Sequence, residues 1–157
     1  MNIKTTMLKI VTIIIDLFIL LFGFMLTMGL TSLIRENSFV PFQLLTIITL
    51  YLSCAIVLGI SFYLFRIFNL IDIHTFFSRK ALTSVRKIRY LFIIEFLILL
   101  GNLPFIYYQA DHGDAPGLIF VALAFNFIPL ALTAFISAME KILINSIKFK
   151  QENDLTI

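Results

Sequence analysis

Apolar residues in this 157-residue chain gather into four long runs, separated by short polar segments. The runs extend from about Ile10 to Ile34, Phe42 to Phe68, Tyr90 to Tyr108 and Pro116 to Ile144. Each is long enough to cross a hydrocarbon core of roughly 30 Å, which takes about 20 helical residues. Lipid offers no partners for backbone N–H and C=O groups, so such runs must be helices, and the period-two alternation of a barrel strand is absent. The pattern predicts an all-α integral membrane protein. It reads as one domain, residues 1–157, whose four spans pack as a bundle.

Composition agrees. Hydrophobic residues make up 61% and charged residues 13%, with 18 Phe and a mean hydropathy of +1.04. A soluble domain has about 45–50% apolar and about 25% charged residues, so this chain lacks the polar surface to coat a globule in water. The leader "MNIKTTMLKI" is short and basic. The run behind it exceeds the 7–15 residues of a signal-peptide core and carries no A-x-A cleavage site, so it reads as a retained helix. The single Cys54 lies inside the second run, which excludes a disulfide framework or a cysteine-based metal site.

The charge is unevenly placed. Lys4 and Lys9 precede the first span. Arg66, Arg79, Lys80, Arg86, Lys87 and Arg89 lie in or beside the central segment 69–89, and Lys141, Lys148 and Lys150 lie toward the tail 145–157. Of the 12 basic residues only Arg35 falls in the alternate loops, "RENSFVP" and "QADHGDAPG". Lys and Arg accumulate on the cytoplasmic side, so both termini and the central segment are expected in the cytoplasm. The net charge of +3 then reflects loops beside anionic lipid rather than nucleic-acid binding.

The central segment reads "FFSRKALTSVRKIRYLF". Ser78 is a helix N-cap, and Ala81, Leu82, Val85 and Ile88 fall on one helical face. Arg79, Lys80, Arg86 and Lys87 occupy much of the remainder, and Arg89 with Tyr90 forms an interfacial pair. The expectation is an amphipathic interfacial helix between spans two and three, its apolar face in acyl chains and its basic face on headgroups, that runs on into span three through Arg89 and Tyr90. Arg79, Lys80, Arg86, Lys87 and Arg89 are accordingly candidate partner- or lipid-binding residues, beside their plainer role as anchors. No helix-turn-helix pattern accompanies them, so direct nucleic-acid binding is not expected. His74 nearby has the side chain to titrate near neutral pH but reads as a bystander.

Ionisable and amide side chains inside spans are costly and are candidates for function by default. Here they are Asp16, Glu95, Asn102, Asn126 and Glu140. Asp16 and Glu95 lie roughly 8–9 Å inside the membrane, at 1.5 Å per residue. An ionic layer of Asp16, Glu95 and Glu140 against Arg66, Arg89 and Lys141 is the expectation. Polar stripes are expected to face inward: Asp16, Gly23, Thr27 and Thr31; Thr46, Thr49 and Ser53; Glu95 and Asn102; Asn126, Thr133, Ser137 and Glu140. Such stripes pack helices and hydrogen-bond between them, or line a proton or solute path. Gly23 and Thr27 also suit contact between protomers of a homo-oligomer. Pro104 and Pro129 are candidate kinks in spans three and four.

No catalytic or cofactor fingerprint is visible, so an enzyme is not expected. Asp111, His112 and Asp114 offer three potential ligands in four residues. A turn ending at Pro116 accounts for Gly113, Asp114 and Pro116, and no metal site is expected.

The tail "KQENDLTI", the loop and helix start "DAPGLIFVAL" and the segment "FFSRKALTSVRKIRYLF" together resemble the small four-span bacterial membrane proteins grouped as domain of unknown function 2975. That family's central segment starts Pro-Phe-Ser; Phe77 and Ser78 match, and Phe76 stands where the proline would be. The resemblance covers nearly the whole chain. It implies residence in a bacterial plasma membrane and companionship with small Cro-type helix-turn-helix regulators encoded nearby. The leading expectation is therefore a non-enzymatic membrane regulator or sensor that binds such a regulator at its cytoplasmic surface. The alternatives are an immunity or stress-protection protein against membrane-active peptides, and a small transporter using Asp16 and Glu95.

Overall fold

In a computed structural model, residues 3–37 and 39–154 are described, with side chains for 5–37 and 39–152. Leu155, Thr156 and Ile157 of the tail, and the side chain of Lys4, lie outside the described residues. The elements are α1 (Ile3–Glu36), α2 (Gln43–Asp72), α3 (Arg79–Leu99), a short 3-10 turn (Leu100–Asn102), α4 (Leu103–His112) and α5 (Gly117–Asp154). All are helical. Taken together, α3, the 3-10 turn and α4 make one pass, so among the described residues there are four passes, each long and apolar enough to cross a membrane. Large side chains point outward along them: Phe120 is 75% and Phe18 67% exposed, which water would penalise and acyl chains do not.

The order of packing is simple. α3 lies in the middle, against α2 on one side and α5 on the other, α4 rests on α5, and α1 rests on α2. The tightest cluster joins Ile60 and Ile67 of α2, Ala81, Val85 and Ile88 of α3, and Leu143 of α5. Ala81 is wholly buried where the three helices meet. Apart from Thr6, the covered positions among the described residues of α1 are Thr5, Lys9, Thr12, Asp16, Ile19, Gly23, Leu26, Leu30 and Leu33, alternately four and three residues apart. That is the seam of a helix packed along one neighbour.

The start of α3 runs on into the third pass as expected, and differs from the expectation in where its apolar face lies. Arg79 to Leu99 is one helix without a break at Arg89 and Tyr90. Its apolar stripe, Ala81, Val85 and Ile88, is buried with the facing residues of α2 and α5. The reason is continuity of the stripe: the same face that packs on neighbours within the span continues through the basic turns. Both ends of the preceding connection are tied. His74, at φ 55°, closes α2 with its N–H on Ile71 O, at 3.0 Å, and that of Thr75 on Leu70 O, at 2.9 Å, the paired bonds of a Schellman end. The Ser78 hydroxyl accepts from Ala81 N–H at the start of α3, at 3.4 Å.

The third pass is broken at Leu100–Asn102. Pro104 has no N–H and its ring crowds the carbonyl four residues back, so the ladder cannot run through unchanged. Leu103 N–H bonds instead to Leu100 O, three residues back. Pro129, by contrast, sits inside α5 without ending it.

Candidate functional site

Two groups of polar side chains stand out, one between α2 and the third pass, the other at the end of the bundle carrying the central connection.

Between α2 and the third pass, partners descend one helix as they ascend the other. The Thr49 hydroxyl donates to Asn102 Oδ1, and the Ser53 hydroxyl donates to Glu95 Oε1. Further along, Lys87 Nζ donates to the Tyr63 hydroxyl at 3.2 Å and lies 5.2 Å from the centre of its ring. Glu95 and Asn102 are both buried. Asn126, also buried, donates from Nδ2 to Leu99 O at 3.4 Å, beside the 3-10 turn. These amides therefore sit where the helical ladder is interrupted and a spare donor is useful.

The expected ionic layer is not a single layer. Glu140, almost fully buried, lies 2.7 Å from Arg86 Nε and 2.7 Å from Arg89 Nη1. Glu95 takes Ser53 rather than a cation. It is six residues beyond Arg89 on the same helix, about 9 Å away along the axis at 1.5 Å per residue. Asp16 is half-buried, and its Oδ1 is buried without a hydrogen-bond partner. It cannot reach the Arg86–Arg89 cluster because α1 packs on α2, across the bundle. Arg66 and Lys141 are exposed and join no ion pair among the described residues. A pair not foreseen from the sequence replaces them: Lys9 Nζ lies 2.6 Å from Asp72 Oδ2.

The stripes fare unevenly. Asn126 and Glu140 are buried in α5, and Thr133 and Ser137 half-buried between them. On α1, Thr27 and Thr31 are exposed and donate to Phe24 O and Met28 O of their own helix. The buried seam passes instead through Leu26, Leu30 and Leu33, because it advances by three and four residues rather than four and four. At the opposite end, His112, the last residue of α4, is stacked on Tyr108 and hydrogen-bonded to its carbonyl, at 3.0 Å.

At the basic end, α3 presents two cationic rows, each with members seven residues apart. Arg79 and Arg86 form the row toward α5; Lys80 and Lys87 form the next, with Lys87 against Tyr63 of α2. Arg79, Lys80, Arg86 and Lys87 are all exposed, while Arg89 is half-buried, over the Tyr90 ring at 5.0 Å. A family model described as "Protein of unknown function (DUF2975)" matches residues 7–157. The chain belongs to the DUF2975 family. It is also similar to the uncharacterized membrane protein YoaS of Bacillus subtilis (strain 168), with 29% identity over 93 residues. That match covers 59% of this chain and 58% of the relative, so the chain spans little more than half the relative's length. No solved structure matches. With four candidate spans and a membrane-protein relative it is a multi-pass membrane protein, and the chemistry of its basic end is electrostatic: cationic donors on a helix that continues into the third pass.

Proposed function

We propose that the chain is a non-enzymatic regulator or sensor of the bacterial plasma membrane, with both termini cytoplasmic. It presents the exposed basic turns of α3 to the acidic surface of a small helix-turn-helix regulator. The observation that carries this reading is the continuity of Arg79–Leu99: the cationic rows stand on the same helix that enters the membrane, without a hinge between. Any shift of the third pass relative to α2 and α5 therefore displaces the rows with it. The gathering of basic residues at that end supports its cytoplasmic placement.

The test uses Lys80→Gln/Lys87→Gln. It spares Arg86 and Arg89, which hold Glu140. With the regulator encoded beside the gene co-expressed, the variant is expected to shift it from membranes to the soluble fraction. A regulator that stays with the membrane to the wild-type extent, or never joins it, overturns the docking role.

A further inference from the structure

We propose that the groove between the first turns of α3 and the last turns of α5 is a binding site for the phosphate headgroup of an anionic phospholipid. The groove has a volume of about 430 Å³. Three cations line it, Arg79 and Arg86 from α3 and Lys148 from α5, above walls of Leu82, Ile144 and Ile147. It thus offers positive charge for a phosphodiester and apolar surface for the start of an acyl chain. Arg86 is already oriented, because Glu140 holds its Nε at 2.7 Å while about half of the side chain (51%) remains exposed. A guanidinium fixed in this way loses less freedom when it takes a phosphate oxygen.

Depth selects a lipid over a soluble anion. Gly117 begins α5 and Glu140 lies 23 residues on, about 35 Å along the axis at 1.5 Å per residue. Ile144 and Lys148 follow at about 40 and 46 Å. With the first turn of α5 in the opposite headgroup layer, a bilayer of about 40–45 Å around a core of roughly 30 Å puts Glu140 at the core boundary, Ile144 in the headgroup layer and Lys148 at its outer edge. Third-pass geometry agrees, because Arg79 and Arg86 sit beside the same part of α5. A basic pocket between transmembrane helices at this level is suited to phospholipid headgroups. The site requires no protein partner, and it uses the Arg79–Arg86 row rather than the Lys80–Lys87 row. It therefore stands or falls apart from the docking role.

The experiment is native mass spectrometry of the purified full chain, titrated in micelles with phosphatidylglycerol or phosphatidylcholine. Phosphatidylglycerol is expected to remain bound through detergent removal and phosphatidylcholine to be lost. Arg79→Gln/Lys148→Gln is expected to weaken phosphatidylglycerol binding by roughly ten- to thirty-fold, the scale of two basic residues near an anionic headgroup. Lys80→Gln/Lys87→Gln is expected to leave it within about twofold, since that row lies outside the groove. Both altered positions are exposed, and unchanged helicity by circular dichroism checks the fold. Lys148→Glu alone, read the same way, gives the answer if the double variant is unstable. Equal retention of phosphatidylcholine overturns the site. So does equal loss in both double variants, which would mean diffuse surface charge. Displacement of the lipid by inorganic phosphate overturns it in favour of a soluble anion.

Discussion

Lys9, two turns into α1, lies 2.6 Å from Asp72, the last residue of α2. The two are 63 residues apart and close the open ends of the first two helices on each other. This matters because α1 has α2 as its main support. Both side chains are about one-quarter exposed, so solvent screens the pair only in part.

Removing the pair is therefore expected to loosen α1 locally rather than unfold the bundle. Lys9→Gln and Asp72→Asn should each cost about 1 kcal/mol, and a double-mutant cycle should return a coupling of about 0.5–1 kcal/mol. Hydrogen exchange is the discriminating measurement. Amides of the first turns of α1 should exchange faster, while those around Ala81 and Ile88 stay protected. Equal acceleration in both places would mean the pair braces the whole bundle.

Glu140 presents a sharper case, because one buried carboxylate serves two guanidinium groups. Glu140→Gln leaves Arg86 and Arg89 without their counter-charge. Loss of a fully buried partner costs about 3–5 kcal/mol; Arg86 is half exposed, so about 2 kcal/mol is expected here. Arg86→Gln should cost less, about 1 kcal/mol, since Arg89 still holds the carboxylate. Reversible unfolding in mixed micelles, followed by helicity, measures both. A Glu140→Gln variant as stable as the parent would mean that the ion cluster does not hold α3 to α5.

Periodicity and charge made much of this fold legible. The four runs became four passes, Ser78 capped the helix starting at Arg79, and Asn126 and Glu140 lie on one buried face of α5. What periodicity cannot supply is the identity of the neighbour across a face. Depth alone aligns Glu95 with cations, whereas α3 turns it toward Ser53. A four-residue step puts Thr27 and Thr31 on the seam of α1, and the real step drifts off them within two turns. The Lys9–Asp72 pair did carry a signal. Consecutive helices joined by a short connection are antiparallel neighbours, so the start of α1 and the end of α2 share one end of the bundle. The apolar face of Arg79–Arg89 misleads in another way: a stripe that suits acyl chains suits helix neighbours equally well.

The polar contacts along α2 are expected to be modest in energy. In membranes such hydrogen bonds average about 0.6 kcal/mol and reach about 1.7, because alternatives exist for the unpaired groups as well. A double-mutant cycle with Thr49→Val and Asn102→Leu should give a coupling in that range, as should one with Ser53→Ala and Glu95→Leu, which removes the acceptor. Coupling near zero in both cycles would leave van der Waals packing as what joins α2 to the third pass.

Steric fit at the same crossing makes a stronger demand. A Cβ added at Gly101 would stand 2.5 Å from Thr49 Cγ2, a stiff β-branched methyl, so the 3-10 turn approaches α2 as closely as a glycine allows. Gly101→Ala is expected to push the third pass off α2 and destabilise by about 1–3 kcal/mol, the usual cost of overpacking. It should also weaken the Thr49–Asn102 contact beside it. Thr49→Ser removes the offending methyl but keeps the hydroxyl that Asn102 accepts from. The pair Gly101→Ala/Thr49→Ser should therefore recover most of the lost stability, which Thr49→Ser alone would not increase. Unfolding midpoints of the three variants decide it. Failure of the serine to rescue would mean that Gly101 is required for the backbone of the turn rather than for room at the crossing.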